Sequence, residues 1–164
     1  MNNPIKSLEP VVDSNAKILI LGSIPGKQSL EKQEYYGNPR NAFWKIIYSL
    51  HKKYIEDDYD RKIKFIKENN IALWDVIRNC NREGSLDSNI KNEQPNDFEN
   101  LFNHYPNIEC VFFNGAKAHD VFKKQVGFDR FEMIRFEKLT STSPANTIKF
   151  EKKLEQWKII KECL

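Results

Sequence analysis

The sequence has few cysteines and no clustered metal ligands. Its 164 residues include three cysteines, Cys80, Cys110 and Cys163, and no CxxC pair of the kind that zinc ribbons, iron–sulfur clusters and redox dithiols use. The three histidines share no short spacing, and no HExxH motif occurs. We therefore expect no metal site, and we expect reduced, mostly buried thiols.

Long apolar runs and a strong excess of one charge are also missing. No run approaches the ~18 apolar residues of a membrane-spanning helix, and MNNPIKSLEP at the start lacks the basic-then-apolar pattern of a signal peptide. These absences predict a cytoplasmic protein without a membrane partner. The net charge of +3 permits a nucleic-acid partner but does not by itself indicate one.

The residues that are present describe a globular protein. Hydrophobic residues make up 40% of the chain and charged residues 30%, and 11 Phe, 6 Tyr and 3 Trp supply enough bulk for a sizeable core. The length fits one domain. We expect residues 1–164 to form a single domain with its core at about 17–160.

Short apolar runs alternate with longer stretches of helical spacing along the chain. Strands are predicted at 17–21, 71–76, 109–113 and 131–139. Helices are predicted at 41–54, 58–69, 96–103, 115–126 and 149–163. Strands that alternate with helices imply right-handed crossovers and a mainly parallel sheet with helices on both sides. The predicted fold class is α/β.

Ligands of open parallel sheets bind beyond the carboxyl ends of the strands. That rule selects the four segments that follow the predicted strands: Gly22–Ser29, Asp75–Asp87, Asn114–Lys117 and Thr140–Asn146. Asp75 ends an otherwise apolar strand, where an unpaired carboxylate is costly to bury. It either contacts a ligand or caps the structure that follows.

Three further motifs each have a functional and a purely structural interpretation. The turn GSIPGK (22–27) fails the Walker, GxGxxG and GxSxG patterns, which leaves a tight turn with exposed backbone N–H groups. In YYGNPRNAFW (35–44) the last two aromatics fit a helix core, whereas the tyrosines and Arg40 suit base stacking and phosphate contact. The loop TSTSPAN (140–146) offers phosphate-binding donors or simply a helix N-cap.

Together these segments resemble the uracil-DNA glycosylase superfamily, and in particular its hypoxanthine-DNA (deoxyinosine) glycosylase family. The matching strings are LGSIPGKQSL (21–30), YYGNPRNAFWKII (35–47), IALWDV with CNREGSLDS (71–88), VFFNGAKA (111–118) and LTSTSPANT (139–147). The resemblance implies a three-layer α/β/α fold around a four-stranded, mainly parallel sheet. It further implies no cofactor, and excision of a deaminated base, above all hypoxanthine, from double-stranded DNA during base excision repair.

The resemblance also assigns roles to residues. It places catalysis on Asn41, because Ile24 stands where many relatives carry Asp or Asn, and Ser141 stands where the uracil-specific enzymes carry His. The position of the usual intercalating wedge is Ala145, which is too small to fill a base-sized gap. The residues assigned to the base pocket are Gly22, Ser23, Ile24, Pro25, Tyr36 and Asp75. Those assigned to DNA contact are Gly26, Lys27, Arg40, Ser141, Thr142, Ser143, Pro144, Ala145 and Asn146.

Asp75 falls where relatives place the residue that reads the Watson–Crick edge of the base. A carboxylate accepts a hydrogen bond from N1–H of hypoxanthine but is repelled by the bare N1 of adenine. We expect a monomeric, monofunctional enzyme. Two alternatives stay open: a uracil-directed glycosylase with a broad base range, and a non-enzymatic α/β module that binds a nucleotide or phosphate on the Gly22 and Ser141 loops.

Overall fold

A computed structural model describes residues 4–164, which contain seven strands and six α-helices. The strands are β1 (Pro4–Lys6), β2 (Ile18–Gly22), β3 (Ile71–Asp75), β4 (Ile77–Asn81), β5 (Lys91–Pro95), β6 (Cys110–Asn114) and β7 (Arg135–Leu139). The helices are α1 (Lys27–Lys32), α2 (Phe43–Leu50), α3 (Tyr59–Glu68), α4 (Phe98–His104), α5 (Ala116–Val121) and α6 (Phe150–Trp157). Within 4–164, no helix is both long enough and apolar enough to cross a membrane.

The central sheet contains the four predicted strands in the order β3-β2-β6-β7, and all of its neighbouring pairs are parallel. In the middle of the sheet, Ile18 of β2 pairs with Ile71 of β3 on one side and Cys110 of β6 on the other. These strands are almost continuously apolar because helices cover both faces. The predicted α/β fold with a mainly parallel four-stranded sheet is confirmed.

Alternate residues of the strands point to opposite faces, and two separate cores result. On one face Ile18, Ile20 and Phe112 pack with side chains of α2, α3 and α6. On the other face Leu21 and Phe113 pack with side chains of α4 and α5. The sheet therefore lies between two helical layers, and its carboxyl edge is left open for a site.

A second sheet of three antiparallel strands, in the order β1-β4-β5, was not predicted. A single residue, Val76, separates β4 from β3. Strand β4 pairs with β1, with Ile5 opposite Cys80. Only Ile77 and Cys80 of β4 are buried, and β5 is mostly polar, so neither strand has the apolar run by which the central strands are recognised. This small sheet anchors the segment 82–90 beside the carboxyl edge of the main sheet.

Several predicted elements are shorter in the structure. The predicted strand 131–139 is extended only over β7, because Phe131 to Ile134 form a turn in which Ile134 N–H donates to the Phe131 carbonyl at 3.0 Å. Helix α2 ends at Leu50, and Lys52 follows in a left-handed conformation, with a φ of 55°. Beyond α5 the chain continues as a π-helical turn over Phe122–Val126, and beyond α6 as a 3₁₀ segment over Lys158–Cys163.

The predicted set of three reduced thiols is wrong for two of them. Cys110 of β6 and Cys163 form a disulfide, with their Cα atoms 6.6 Å apart. They are separated by 53 residues in sequence, but the C-terminal segment packs along β6 and brings them together. Cys80 is free and buried, as expected.

Candidate active site

A cavity of about 550 Å³ opens at the carboxyl edge of the central sheet. All four segments selected by the strand-end rule contribute to its wall, as does the chain between α1 and α2. Every residue predicted for the site lines this cavity except Arg40. The wall also contains residues to which the sequence assigns no individual role. Leu8, Tyr35 and Asn38 lie outside the selected segments, and Gln28, Ser29, Ser85, Leu86, Asp87 and Asn114 lie within them.

The tight turn after β2 brings the backbone against Asp75. Gly22 pairs with Asp75 in the parallel register, and the Gly22 carbonyl accepts a 2.8 Å hydrogen bond from Val76 N–H. A Cβ added at Gly22 would lie 2.7 Å from Asp75 Oδ1, closer than nonbonded carbon and oxygen approach. Glycine is therefore needed here because it leaves room for the carboxyl group.

Asp75 is buried without a full set of partners. It is 5% exposed, and its Oδ2 has no hydrogen-bond partner among residues 4–164. Burial raises the pKa of Asp75 to about 7, and the nearby Asp87 adds to the shift while Arg82 opposes it. The carboxyl group therefore changes charge near neutral pH inside the cavity.

Tyr36 and Tyr35 have different roles although they are adjacent. Tyr35 is 5% exposed, and its hydroxyl donates to the Glu9 carbonyl at 2.8 Å, so it belongs to the core. Tyr36 has a left-handed backbone with a φ of 54°, and its ring stacks on Phe43 with the ring centroids 3.9 Å apart. Burial and the Asp75 carboxylate raise the pKa of Tyr36, and the Asn114 side chain opposes that shift. A left-handed conformation in a non-glycine residue costs about 1–3 kcal/mol, and such strain occurs most often at functional sites.

Asn41 lies two residues before α2 and has a defined orientation. Its Oδ1 accepts a 2.9 Å hydrogen bond from Phe43 N–H, and its own N–H donates to the Asn38 carbonyl at 2.9 Å. Its Nδ2 makes no hydrogen bond to residues 4–164, and the residue lines the cavity. The cap-like contact of the structural interpretation is present, but it uses only one lone pair of Oδ1 and none of the amide hydrogens.

The loop 140–146 is fixed by hydrogen bonds to the strand beside it. Asn114, at the end of β6, donates through Nδ2 to Thr142 Oγ1 and accepts from Thr142 N–H, both at 2.9 Å. Asn146 Nδ2 donates to Thr140 Oγ1 at 2.8 Å and to the Ser141 carbonyl at 2.9 Å. The Thr142 carbonyl in turn accepts from Ala42 N–H at 3.0 Å, which connects this loop to the start of α2.

A second loop, 82–90, packs against the turn that follows β2. The buried Arg82 donates through Nη2 to the Pro25 carbonyl at 2.7 Å and through Nε to the Gly84 carbonyl at 2.8 Å. Ser23 Oγ donates to Asp87 Oδ1 at 2.7 Å. This segment has no regular pattern in the sequence, and its only signals are the strand-end rule and its place in the CNREGSLDS string.

A family model of the Uracil DNA glycosylase superfamily matches residues 9–162. The chain belongs to this superfamily. It is 39% identical over 154 residues to a protein named hypoxanthine DNA glycosylase from Methanosarcina acetivorans, covering 92% of this chain and 93% of the relative. A protein of the same name from Methanosarcina barkeri is 36% identical over 151 residues, covering 90% and 92%. The solution NMR structure of a proposed uracil DNA glycosylase from Methanosarcina acetivorans superposes with a TM-score of 0.84 at 36% identity, covering 96% of both chains.

The turn after β2 brings an apolar side chain to the wall of the glycosylase cavity. Ile24 is 6% exposed in the turn after β2, and a hydrocarbon side chain cannot orient water. Asp75 and Asn41 also line the cavity, and each has polar atoms that are not hydrogen-bonded within residues 4–164. No group of three or more His, Cys, Asp or Glu side chains in residues 4–164 is arranged to hold a metal ion.

Arg40 lies outside the cavity on its own turn. It is exposed, and its backbone N–H donates to Asn38 Oδ1 at 2.9 Å. Its guanidinium makes no ion pair within residues 4–164, so the charge stays in solvent one residue before Asn41.

Proposed function

We propose that this protein is a monomeric, monofunctional DNA glycosylase that removes hypoxanthine from double-stranded DNA. It hydrolyses the N-glycosidic bond of a flipped nucleotide and leaves an abasic site for base excision repair. The observation that carries the proposal is the cavity in which an unpaired buried carboxyl group, a stacked tyrosine and a free amide converge. The names of the two Methanosarcina relatives favour hypoxanthine over other bases.

The target base must leave the duplex to reach this cavity. Flipping costs a few kcal/mol and costs least for weakly paired bases, such as hypoxanthine opposite thymine. A volume of about 550 Å³ accommodates a purine. One face of the Tyr36 ring is covered by Phe43, and the other face is the stacking surface that we assign to the flipped base, at about 1–3 kcal/mol per stacked base.

In this proposal Asp75 determines which base the cavity accepts. When ionised, its carboxylate accepts from N1–H of hypoxanthine and repels the N1 lone pair of adenine. Uracil, xanthine and guanine also present a ring N–H, so their rejection depends on the shape of the cavity and on the strength of their pairing in DNA. Arg40, the Gly22–Lys27 turn and the Ser141–Asn146 loop hold the flanking phosphates in this proposal.

Bond cleavage passes through a sugar with oxocarbenium character, as in other glycosidic hydrolyses. The attacking water needs orientation more than deprotonation, because it adds to a cation. Asn41 supplies that orientation: Phe43 N–H fixes the amide, and its remaining lone pair and amide hydrogens contact the water. The negative phosphates of the substrate stabilise the cation.

Labelled duplexes that carry hypoxanthine, uracil, xanthine or no lesion test the proposal directly. Incubation with the protein followed by hot alkali reveals abasic sites, and omission of alkali reveals any strand cleavage by the protein itself. We expect alkali-dependent cleavage that is fastest at hypoxanthine. Uracil excised at least as fast supports the broad-range alternative, and no product from any duplex supports the binding module.

The exposed Arg40 is expected to contribute one phosphate contact. Arg40→Ala should weaken binding to lesion and undamaged duplexes alike, and should reduce the slope of log K against log salt by about 1, because one fewer counterion is released. Titration of a fluorescent duplex at several salt concentrations measures both quantities. Arg135→Ala is the matched control, since Arg135 begins β7 at the opposite edge of the sheet. An unchanged slope with reduced thermal stability would show that Arg40 braces its own turn instead.

A further inference from the structure

One large apolar side chain is exposed at the mouth of the active-site cavity. The exposed large hydrophobic residues of 4–164 are Tyr54, Ile55, Leu86, Met133 and Ile148. Leu86 alone among these lines the cavity, and its relative exposure is 53%. Leaving a leucine half in water forfeits part of the 1.5–3 kcal/mol or so that its burial provides.

The backbone around Leu86 is held against the turn that follows β2. On one side, Ser85 Oγ accepts from Lys27 N–H at 2.9 Å, and on the other, Asp87 Oδ1 accepts from Ser23 Oγ at 2.7 Å. The Leu86 carbonyl also accepts from Asn89 N–H at 3.0 Å. Hydrogen bonds from both of its neighbours therefore fix Leu86 against the turn that follows β2.

Base flipping creates a need for such a side chain. The extruded nucleotide leaves an empty position in the base stack, and apolar side chains such as Leu, Ile, Met and Phe often enter base steps in protein–DNA complexes. Ala145 is exposed on the facing loop at the rim of the same cavity, but a methyl group fills little of a base-sized gap. Leu86 has the bulk that Ala145 lacks.

We propose that Leu86 is the wedge of this enzyme, and that its side chain enters the base stack at the position vacated by the flipped nucleotide. This inference rests on the proposed function, because it assumes that a nucleotide leaves the duplex at this cavity. The gain comes from burying the leucine between the neighbouring bases, which holds the duplex open while the target base is in the cavity. The role is one of positioning, since Leu86 does not touch the reacting atoms.

The wedge is needed only where a stack must be held open. Leu86→Ala is expected to slow single-turnover excision of hypoxanthine from duplex DNA at least ~10-fold and to leave excision from single-stranded DNA unchanged. Leu86→Met should restore most of the duplex rate, because methionine also fills the gap. Met133→Ala, at an exposed apolar residue that does not line the cavity, is the control and should match wild type on both substrates.

Binding to a duplex with a stable abasic analogue tests the wedge without any excision. Leu86→Ala should bind this duplex about 10-fold more weakly than wild type does, and should bind undamaged duplex equally well. If Leu86→Ala slows excision equally on duplex and single-stranded DNA, Leu86 is part of the wall of the base pocket and the proposal is wrong. The proposal is also wrong if this variant has wild-type rates and affinities on every substrate. If wild type excises no base but its affinity for the abasic duplex depends on Leu86, the proposed function fails and the wedge stands.

Discussion

Replacing Asn41 by serine is expected to reduce single-turnover base excision about 10²-fold or more while the protein folds and binds lesion DNA normally. That magnitude is the usual one for losing a positioned polar catalytic group. The physical reason lies in the two functions of the side chain. Its Oδ1 accepts from Phe43 N–H at 2.9 Å, and serine can keep this contact, but serine cannot reproduce the amide's combination of donor and acceptor.

Two further variants separate capping from catalysis at this position. Asn41→Asp also accepts from Phe43 N–H, and it is expected to keep some activity because a carboxylate can act as a weak base. Asn41→Ala loses the cap as well, at about 0.5–2 kcal/mol of stability. Rates under saturating enzyme and urea unfolding midpoints are measured on the same preparations. A serine variant as fast as wild type would leave Asn41 as a structural cap and would move the search for the catalyst to Ser23 and Ser143.

The features that could be predicted from the sequence are those with a local physical cause. Strands β2, β3 and β6 are short runs of apolar residues because both of their faces are buried, and such runs are visible without knowing their neighbours. Parallel strands then bring their carboxyl ends to one edge. That topological rule places Gly22, Asp75 and the loop 140–146 around one cavity although they are far apart in sequence.

The parts that escaped prediction depend on contacts between distant segments. Strand β4 is stabilised by pairing with β1 and β5, and its two buried residues, Ile77 and Cys80, do not form an apolar run. The Cys110–Cys163 disulfide has no local signal either. Asn114 is the first polar residue after the apolar run of β6, which was a usable sign, but its hydrogen bonds to Thr142 span 28 residues. Leu86 looks like any surface leucine until the fold brings its loop to the cavity.

The buried Asp75 is expected to make the stability of the protein depend on pH. Its pKa is raised from 3.8 to about 7 in the folded state, so folding favours the protonated form. The free energy of unfolding should therefore fall as pH rises from about 4 to about 7, and this contribution should be constant above about pH 7. The Asp75→Asn variant mimics the neutral acid at every pH, so its free energy of unfolding should not show this decrease. Urea unfolding at about pH 4 and about pH 8 should show the variant close to wild type at the lower pH and more stable than wild type at the higher one.

The titration of Asp75 is also expected to affect the rate of base excision. An ionised Asp75 repels the negative charge that develops on the departing purine, whereas the neutral acid can accept from N1–H and donate to O6. The wild-type single-turnover rate on hypoxanthine should therefore fall as pH rises through about 7. The amide of the Asp75→Asn variant has an acceptor and a donor at every pH, so the rate profile of this variant should be flat across that range.

The Asp75→Asn substitution is expected to weaken the discrimination between hypoxanthine and adenine. An amide donates to the bare N1 of adenine, which an ionised carboxylate repels. At about pH 8 undamaged adenine-containing single strands should therefore inhibit Asp75→Asn more strongly than they inhibit wild type. At about pH 5 the two proteins should be inhibited alike, since wild-type Asp75 is then protonated and also has a donor. Identical rate profiles and identical inhibition at both pH values would make Asp75 a buried structural carboxyl group with no contact to the base.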